Sequence, residues 1–359
     1  MRQTDDFEDQ SGGMPIIYMV LGVSVFVVLV LGVVLFANKK NQPKRPIPVV
    51  AETVETTEED SYGYGYITAD DLDIWDMYPE TEVNSEEATE ETTEEETETD
   101  PNKNPYDDGK HVQIVYSDGS DEWVPINRYW EKHNYDFTNI VSSNGKLKYY
   151  SDGKQISFLG VDISRYQKDV DFYALKEDDI DFVMIRVGAR GYSTGNLQLD
   201  DYFVKNIQGA TEAGLDVGVY FYSQAMSVEE AVEEANMVIE QIKDYKITYP
   251  VAFDMEFVEN DTARVETLTR DERTTITTAF VSKIQEAGYI PMIYGNKEWL
   301  LKRIDVSKFD GSCIWLSEEE DLPKYPYRFE MWQYTKQGTV DGIDGFVDLN
   351  ISFVDYNAR

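Results

Sequence analysis

Eight short apolar runs recur between Phe158 and Ser352, each of strand length, and the earlier ones are separated by stretches long enough for a helix. They are LGVDIS (159–164), DFVMIRVG (181–188), DVGVYFYS (216–223), YPVAFDMEF (249–257), YIPMIYGN (289–296), CIWLSE (313–318), EMWQYT (330–335) and FVDLNIS (346–352). Helical patterns fit about 200–214, 227–245 and 269–287; the second carries Ala231, Ala235, Val238, Ile239 and Ile242 as its apolar positions. Strands alternating with helices predict an α/β fold with parallel pairing, and eight of them predict an irregular TIM-like (β/α) barrel rather than an open doubly wound sheet. The last three strands leave little room for helices, so the barrel is expected to be irregular there.

The fourth run holds two carboxylates, Asp254 and Glu256, inside apolar sequence. Alternation along a strand puts both on one face and Met255 on the other. An edge strand with both acids in water is one reading; a paired functional site is the other, because buried acids are rare unless paired or working. In parallel α/β barrels the site lies at the C-terminal strand ends. Those ends offer Asp162, Arg186, Tyr220, Tyr222, Asp254, Glu256, Tyr294, Trp332, Gln333 and Asp348. Acids around aromatic surfaces suit sugar chemistry, which needs a proton donor, a group that stabilises charge at the anomeric carbon, and flat faces for pyranose rings. Duller roles stay open: Arg186 as a structural bridge to an acid, Asp348 as a turn cap, Tyr222 and Tyr294 as core.

Scarce residues narrow the chemistry further. The 359-residue chain has two histidines, His111 and His133, both upstream of the strand-rich region, so a histidine-based triad within that region is excluded. Its one cysteine, Cys313, lies in an apolar run and reads as a buried thiol rather than a nucleophile. Zinc-ligand spacings are absent, and no metal or cofactor is expected. A net charge of −37 gives no footprint for nucleic acid.

The first 105 residues have a different character. Residues 1–13 form a short polar tail, and 14–37 (MPIIYMVLGVSVFVVLVLGVVLFA) contain no charge. As a helix rising ~1.5 Å per residue this run can cross a bilayer core of ~30 Å. It is longer than the apolar core of a signal peptide and lacks a good cleavage site, so a single-pass anchor is expected. Residues 38–105 read as an acidic low-complexity stalk: 51–100 alone hold 20 Asp or Glu and no Lys or Arg. Inside it, 62–79 mixes aromatics with acids and has no identifiable partner. Lys39, Lys40, Lys44 and Arg45 follow the apolar run against Arg2 before it, and the positive-inside rule would place the following part in the cytoplasm. Residues 106–157 recover β character; two Tyr-Ser-Asp-Gly copies there read as hairpin turns, or faintly as a wall-binding repeat.

Six ordered segments, GVDISRYQKDVDF, VMIRVGARGY, GLDVGVYFYSQAMSVEEAVEEA, YPVAFDMEF, MWQYT and GFVDLNIS, resemble glycoside hydrolase family 25, the Chalaropsis-type lysozymes or N-acetylmuramidases, over roughly 158–355. The resemblance implies a barrel of eight strands and about five helices in a catalytic region spanning 158–359. It also implies hydrolysis of the β-1,4 bond between N-acetylmuramic acid and N-acetylglucosamine in peptidoglycan. Carried over, it makes Glu256 the general acid and Asp254 the acid that assists at the anomeric centre. Asp162 and Asp348 would hold substrate or tune that pair, and Tyr220 and Trp332 would line the sugar site; Gln333 and Arg186 join them as strand-end contacts. Three positions depart from the family pattern: Gln167-Lys168 replaces Gln-Gly, Phe172 a frequent Trp, and Phe221 a common His. A substrate in the wall would place the barrel outside the cell, against the positive-inside count. The alternative function is a catalytically inactive, membrane-anchored protein that binds peptidoglycan or acts as a scaffold.

Overall fold

The computed structural model describes residues 106–116, 119–258, 262–309 and 311–358. The expected anchor (14–37) and acidic stalk (38–105) lie outside the described residues, and among those described no helix is long and apolar enough to cross a membrane.

Residues 106–157 form two small antiparallel sheets. Strands β1 (His111–Val115) and β2 (Asp121–Pro125) make a hairpin; β3 (Ile140–Ser143), β4 (Lys146–Ser151) and β5 (Lys154–Gln155) make a meander. The second Tyr-Ser-Asp-Gly copy closes β4 onto β5 with Asp152 and Gly153 both at positive φ (50° and 75°), the two-residue turn that matches strand twist and that Asp-Gly favours. These sheets belong to the same compact unit as the strand-rich region 158–359. Tyr135 Oη donates to the Phe329 carbonyl at 2.7 Å, Tyr327 Oη accepts from the Asn127 amide at 2.7 Å, and Tyr149 is buried in the shared core.

The main body is a closed eight-stranded barrel built from β6 (Phe158–Ile163), β7 (Phe182–Arg190), β9 (Asp216–Ser223), β10 (Val251–Met255), β11 (Pro291–Asn296), β12 (Cys313–Ser317), β13 (Met331–Gly338) and β14 (Val347–Ser352), in that spatial order, with β6 pairing both β7 and β14. A short strand, β8 (Leu197–Leu199), extends the sheet beside β7. Around the barrel lie α1 (Phe172–Glu177), α2 (Phe203–Ala213), α3 (Val228–Ile242), α4 (Arg270–Glu286) and a π-helical turn, Trp299–Arg303. All eight strands and the three longest helices fall where the sequence places them.

The all-parallel expectation fails at one strand. Six pairings from β6 round to β13 are parallel, but β14 is antiparallel to both its neighbours. Only residues 339–346 separate β13 from β14. A parallel return needs a crossover of a dozen or more residues, so a chain this short between strands must turn back.

Alternation sorts the strand residues into two cores. Met184, Tyr220, Ala252, Met292, Cys313, Trp315 and Met331 fill the barrel interior, while Val183, Val219, Phe253, Ile314 and Trp332 face outward to the helices. Cys313 is a buried thiol of the interior. The floor closes because two strand positions lack a side chain: a Cβ on Gly160 would sit 2.4 Å from the Phe182 ring, and one on Gly218 2.4 Å from Met184 Sδ. Helix α3 carries Ala231, Ala235, Val238 and Ile242 on its buried face and is capped by Ser227, with Glu229 and Glu230 in the first turn complementing its dipole. Helix α4 buries threonines by bonding their hydroxyls to the carbonyl four residues back, as Thr277 does to Arg273 at 2.8 Å.

The Phe182 ring is stacked on Tyr249 at 4.3 Å, so it has no room to retreat from a methyl group at residue 160. Gly160→Ala is therefore expected to destabilise the fold by about 1–3 kcal/mol through overpacking, read as a lower denaturant midpoint with an unchanged slope.

Candidate active site

Reversal of β14 brings its N-terminal end to the rim where the seven parallel strands have their C-terminal ends. Asp348, second in its strand, consequently lies directly opposite Asp162 of β6. Three strands further round the barrel, Asp254 is 0% exposed and in register with Tyr222 of β9 and Tyr294 of β11. Glu256 stands one position beyond β10, half-buried, and its carbonyl accepts from Gln224 Nε2 at 3.0 Å.

A buried amide network connects one side of this mouth. Gln333, 0% exposed, donates through Nε2 to Asp162 Oδ2 at 2.8 Å and to Asp348 Oδ2 at 3.1 Å. Its Oε1 accepts from Tyr294 Oη and from Ser317 Oγ, both at 2.9 Å. Asn350 repeats the device: Nδ2 donates to Asp162 Oδ2 at 2.9 Å, while Oδ1 accepts from Trp315 Nε1 at 2.8 Å. Each amide has donors on one end and acceptors on the other, so the network fixes which way both point.

Not every residue expected at the mouth reaches it. Trp332 is 0% exposed and belongs to the outer core, its Nε1 donating to the Glu318 carbonyl at 2.8 Å and its ring packing on Tyr334. Adjacent strand residues cannot both point inward; Gln333 takes the interior, so Trp332 faces the other way and does not line a sugar site. Tyr220 is interior but buried below the rim, edge-on to Trp315 at 6.0 Å. Arg186 makes a buried ion pair with Asp200 Oδ2, 2.8 Å from Nε and 2.7 Å from Nη2, which favours the structural bridge over a substrate contact. The same Oδ2 accepts from the Arg165 amide at 3.1 Å, tying β7 to the loop after β6. Asn350, Ser317, Asp200 and Gln224 bond to residues expected at the mouth, yet the strand-end pattern does not single them out. Asn350 carries a usable signal, since it stands two residues after Asp348 as Glu256 does after Asp254. Asp200 and Gln224 lie outside any periodic pattern.

Behind β9 sits a second polar cluster. Arg190 contacts Glu234 Oε1 at 2.7 Å and Glu233 Oε2 at 2.8 Å, and Ser223 Oγ donates to Glu234 Oε2 at 2.6 Å. Complete burial pushes the Glu234 carboxyl up to about 7, opposed by the Ser223 and Arg190 hydrogen bonds. A groove of about 530 Å³ lies between Asp169–Asp171 and Val340–Asp344, on loops that leave the mouth end of β6 and β13. Among the described residues no group of three or more His, Cys, Asp or Glu is arranged to hold a metal ion. His133 packs among Tyr135, Phe137 and Phe329, the last of which precedes the N-terminal end of β13, opposite the mouth, and burial lowers its pKa.

The profile described as Glycosyl hydrolases family 25 matches residues 161–343. The uncharacterized protein YegX of Escherichia coli strain K12 is 24% identical over 196 residues, 54% of this chain and 68% of that protein. The autolytic lysozyme of Clostridium acetobutylicum is 24% identical over 192 residues, 53% of this chain and 54% of that protein. Among solved structures, the modular autolysin LytC of Streptococcus pneumoniae, in complex with a synthetic peptidoglycan ligand, aligns with a TM-score of 0.49 and 22% identity, covering 67% of this chain and 56% of that one. The match thus spans little more than half the length of the last two.

Two outcomes test the geometry. Gln333→Leu removes one hydrogen bond from each of Tyr294, Ser317, Asp162 and Asp348 in a buried setting, and is expected to cost at least about 2 kcal/mol of stability in chemical unfolding. Glu234 has a folded pKa above its ordinary 4.5, so the stability it contributes is fully present below about 4.5 and lost as pH rises through about 7. The melting temperature of wild type minus that of Glu234→Gln should fall across that window and level off outside it.

Proposed function

The chain belongs to glycosyl hydrolases family 25, and on that premise we propose that it is a muramidase, a peptidoglycan hydrolase that cleaves the β-1,4 bond between N-acetylmuramic acid and N-acetylglucosamine. The observation that carries the reading is the placement of Asp254 and Glu256 at the end of β10, three strands from Asp162 and four from Asp348 around one barrel mouth. Its resemblance to an autolytic lysozyme supports the same substrate class.

In this mechanism Glu256 protonates the leaving glycosidic oxygen. It projects from the rim, half-buried, where a sugar chain can approach it. Asp254, one layer deeper and fully buried, assists at the anomeric centre. Asp162 and Asp348 bind or tune from the opposite side, held at a fixed spacing by the Gln333 amide. Tyr222 and Tyr294 flank Asp254 in register and back it from the two neighbouring strands. The apolar run 14–37 would anchor the protein in the cell membrane with the barrel on the wall side, and the acidic stretch 38–105 would be the tether. A stalk of ~65 residues reaches at most ~200 Å fully extended, enough to work on nearby wall.

The test is mass spectrometry of fragments released from purified peptidoglycan by the full chain and by Glu256→Gln. Wild type should release muropeptides ending in reducing N-acetylmuramic acid, and the variant should be slower by about 10²–10⁴-fold, the usual contribution of a general acid. No release by wild type, with binding retained, would replace the enzyme by a wall-binding or scaffold protein. Protease added to whole cells should digest the barrel; protection would put it in the cytoplasm.

A further inference from the structure

The residue after Glu256 is held more tightly than its half-exposed position requires. The Phe257 ring lies 5.2 Å from the Arg273 guanidinium carbon and 5.1 Å from that of Arg303, and edge-on to Trp299 at 5.1 Å and 78°. Each of these partners is itself fixed. Arg273, buried on α4, donates through Nη2 to the carbonyls of Val265 and Glu266, at 3.0 and 3.3 Å, and lies 5.5 Å from the Trp299 ring. Arg303 is paired with Glu298 at 2.6 Å.

Two guanidinium groups on one phenyl ring are an electrostatic contact with the ring face that an aliphatic side chain cannot make. Burying Arg273 among backbone carbonyls and rings disfavours its charged form, and its pKa is lowered accordingly by burial and then by Arg303. The cost of that burial is offset by the two carbonyls and the two rings the guanidinium meets, and its location shows what those contacts join. Val265 and Glu266 belong to the connection that leaves β10 just after the acids. Arg273 therefore joins three things: the start of α4, the far end of that connection, and the ring adjoining Glu256. On the other side, Gln224 Nε2 holds the Glu256 carbonyl.

Resting on the muramidase reading above, we propose that Phe257 and Arg273 are positioning residues for Glu256. The cation–ring clamp fixes the backbone on the C-terminal side of the acid as Gln224 fixes its carbonyl, so the carboxyl projects from a rigid point although it lies outside β10. Neither residue touches the sugar. Their effect is on the geometry of proton transfer, which is sensitive to displacements of about 1 Å.

The experiment compares wild type, Phe257→Leu, Phe257→Tyr and Arg273→Met in the full chain. It measures kcat and KM on soluble peptidoglycan glycan strands, and the melting temperature of each protein. Phe257→Leu keeps an apolar side chain but removes the ring; kcat should fall about 10- to 100-fold with KM within about 2-fold, while the protein stays folded at the assay temperature. Phe257→Tyr keeps the ring and should return kcat to near the wild-type value, and Arg273→Met should reproduce the Phe257→Leu defect. A wild-type kcat in Phe257→Leu, an equal loss in Phe257→Tyr, or a loss that merely follows the unfolded fraction overturns the clamp. An inactive wild type overturns the muramidase reading and the clamp's role with it, which separates the two failures.

Discussion

One primary amide organises the mouth of this barrel. Gln333 has two hydrogens and two acceptor positions, and all four are used: two carboxylates on one end, a tyrosine and a serine hydroxyl on the other. Those partners come from β6, β14, β11 and β12, so a single side chain on β13 reads the positions of four other strands. In a buried setting each unmade bond would carry its full desolvation penalty. The amide consequently tolerates only one arrangement of those strands, and Asp162 and Asp348 stand at a fixed distance because the two hydrogens of one nitrogen reach both.

The lower barrel is built to a complementary rule. Below the polar layer the interior is apolar, and the floor is filled by letting Phe182 and Met184 occupy space that side chains at Gly160 and Gly218 would take. The amide and carboxylate groups of Gln333, Asn350, Asp162 and Asp348 gather in the layer above, where they satisfy one another. The ion pair of Arg186 with Asp200 and the cluster of Arg190 with Glu233 and Glu234 lie along the same upper band, on the side of β7 and β9. The first joins β7 to the loop carrying Asp200, and the second joins β7 to helix α3.

Strand positions were legible because strands buried on both faces are written as unbroken apolar runs, and helices α2, α3 and α4 because their flanks and periodicity stand apart from those runs. Direction was not legible in the same way, since an apolar run reads alike whichever way it lies. The eight residues before β14 were the available clue. Asp162, Asp254, Glu256, Asp348 and Gln333 were recoverable as polar residues at apolar strand ends, and Asn350 carried the same mark. Trp332 shows the limit of reading strand ends without applying their alternation: its neighbour Gln333 had already claimed the inward face. Asp200 and Gln224 act from loops, where no period distinguishes a working side chain from a solvated one.

The reversed strand β14 has one more consequence, which concerns time. It closes the barrel by pairing with β6, and in doing so delivers Asn350 to Asp162 across 188 positions of sequence. Contacts of such separation carry a loop-closure cost that must be met before they contribute. A nascent or partly unfolded chain can hold Asp254 and Glu256 on β10 while Asp162 still lacks the amides of Gln333 and Asn350 that fix it. The complete mouth thus depends on closure of the whole barrel, because Asp162 takes its amide donors from β13 and β14.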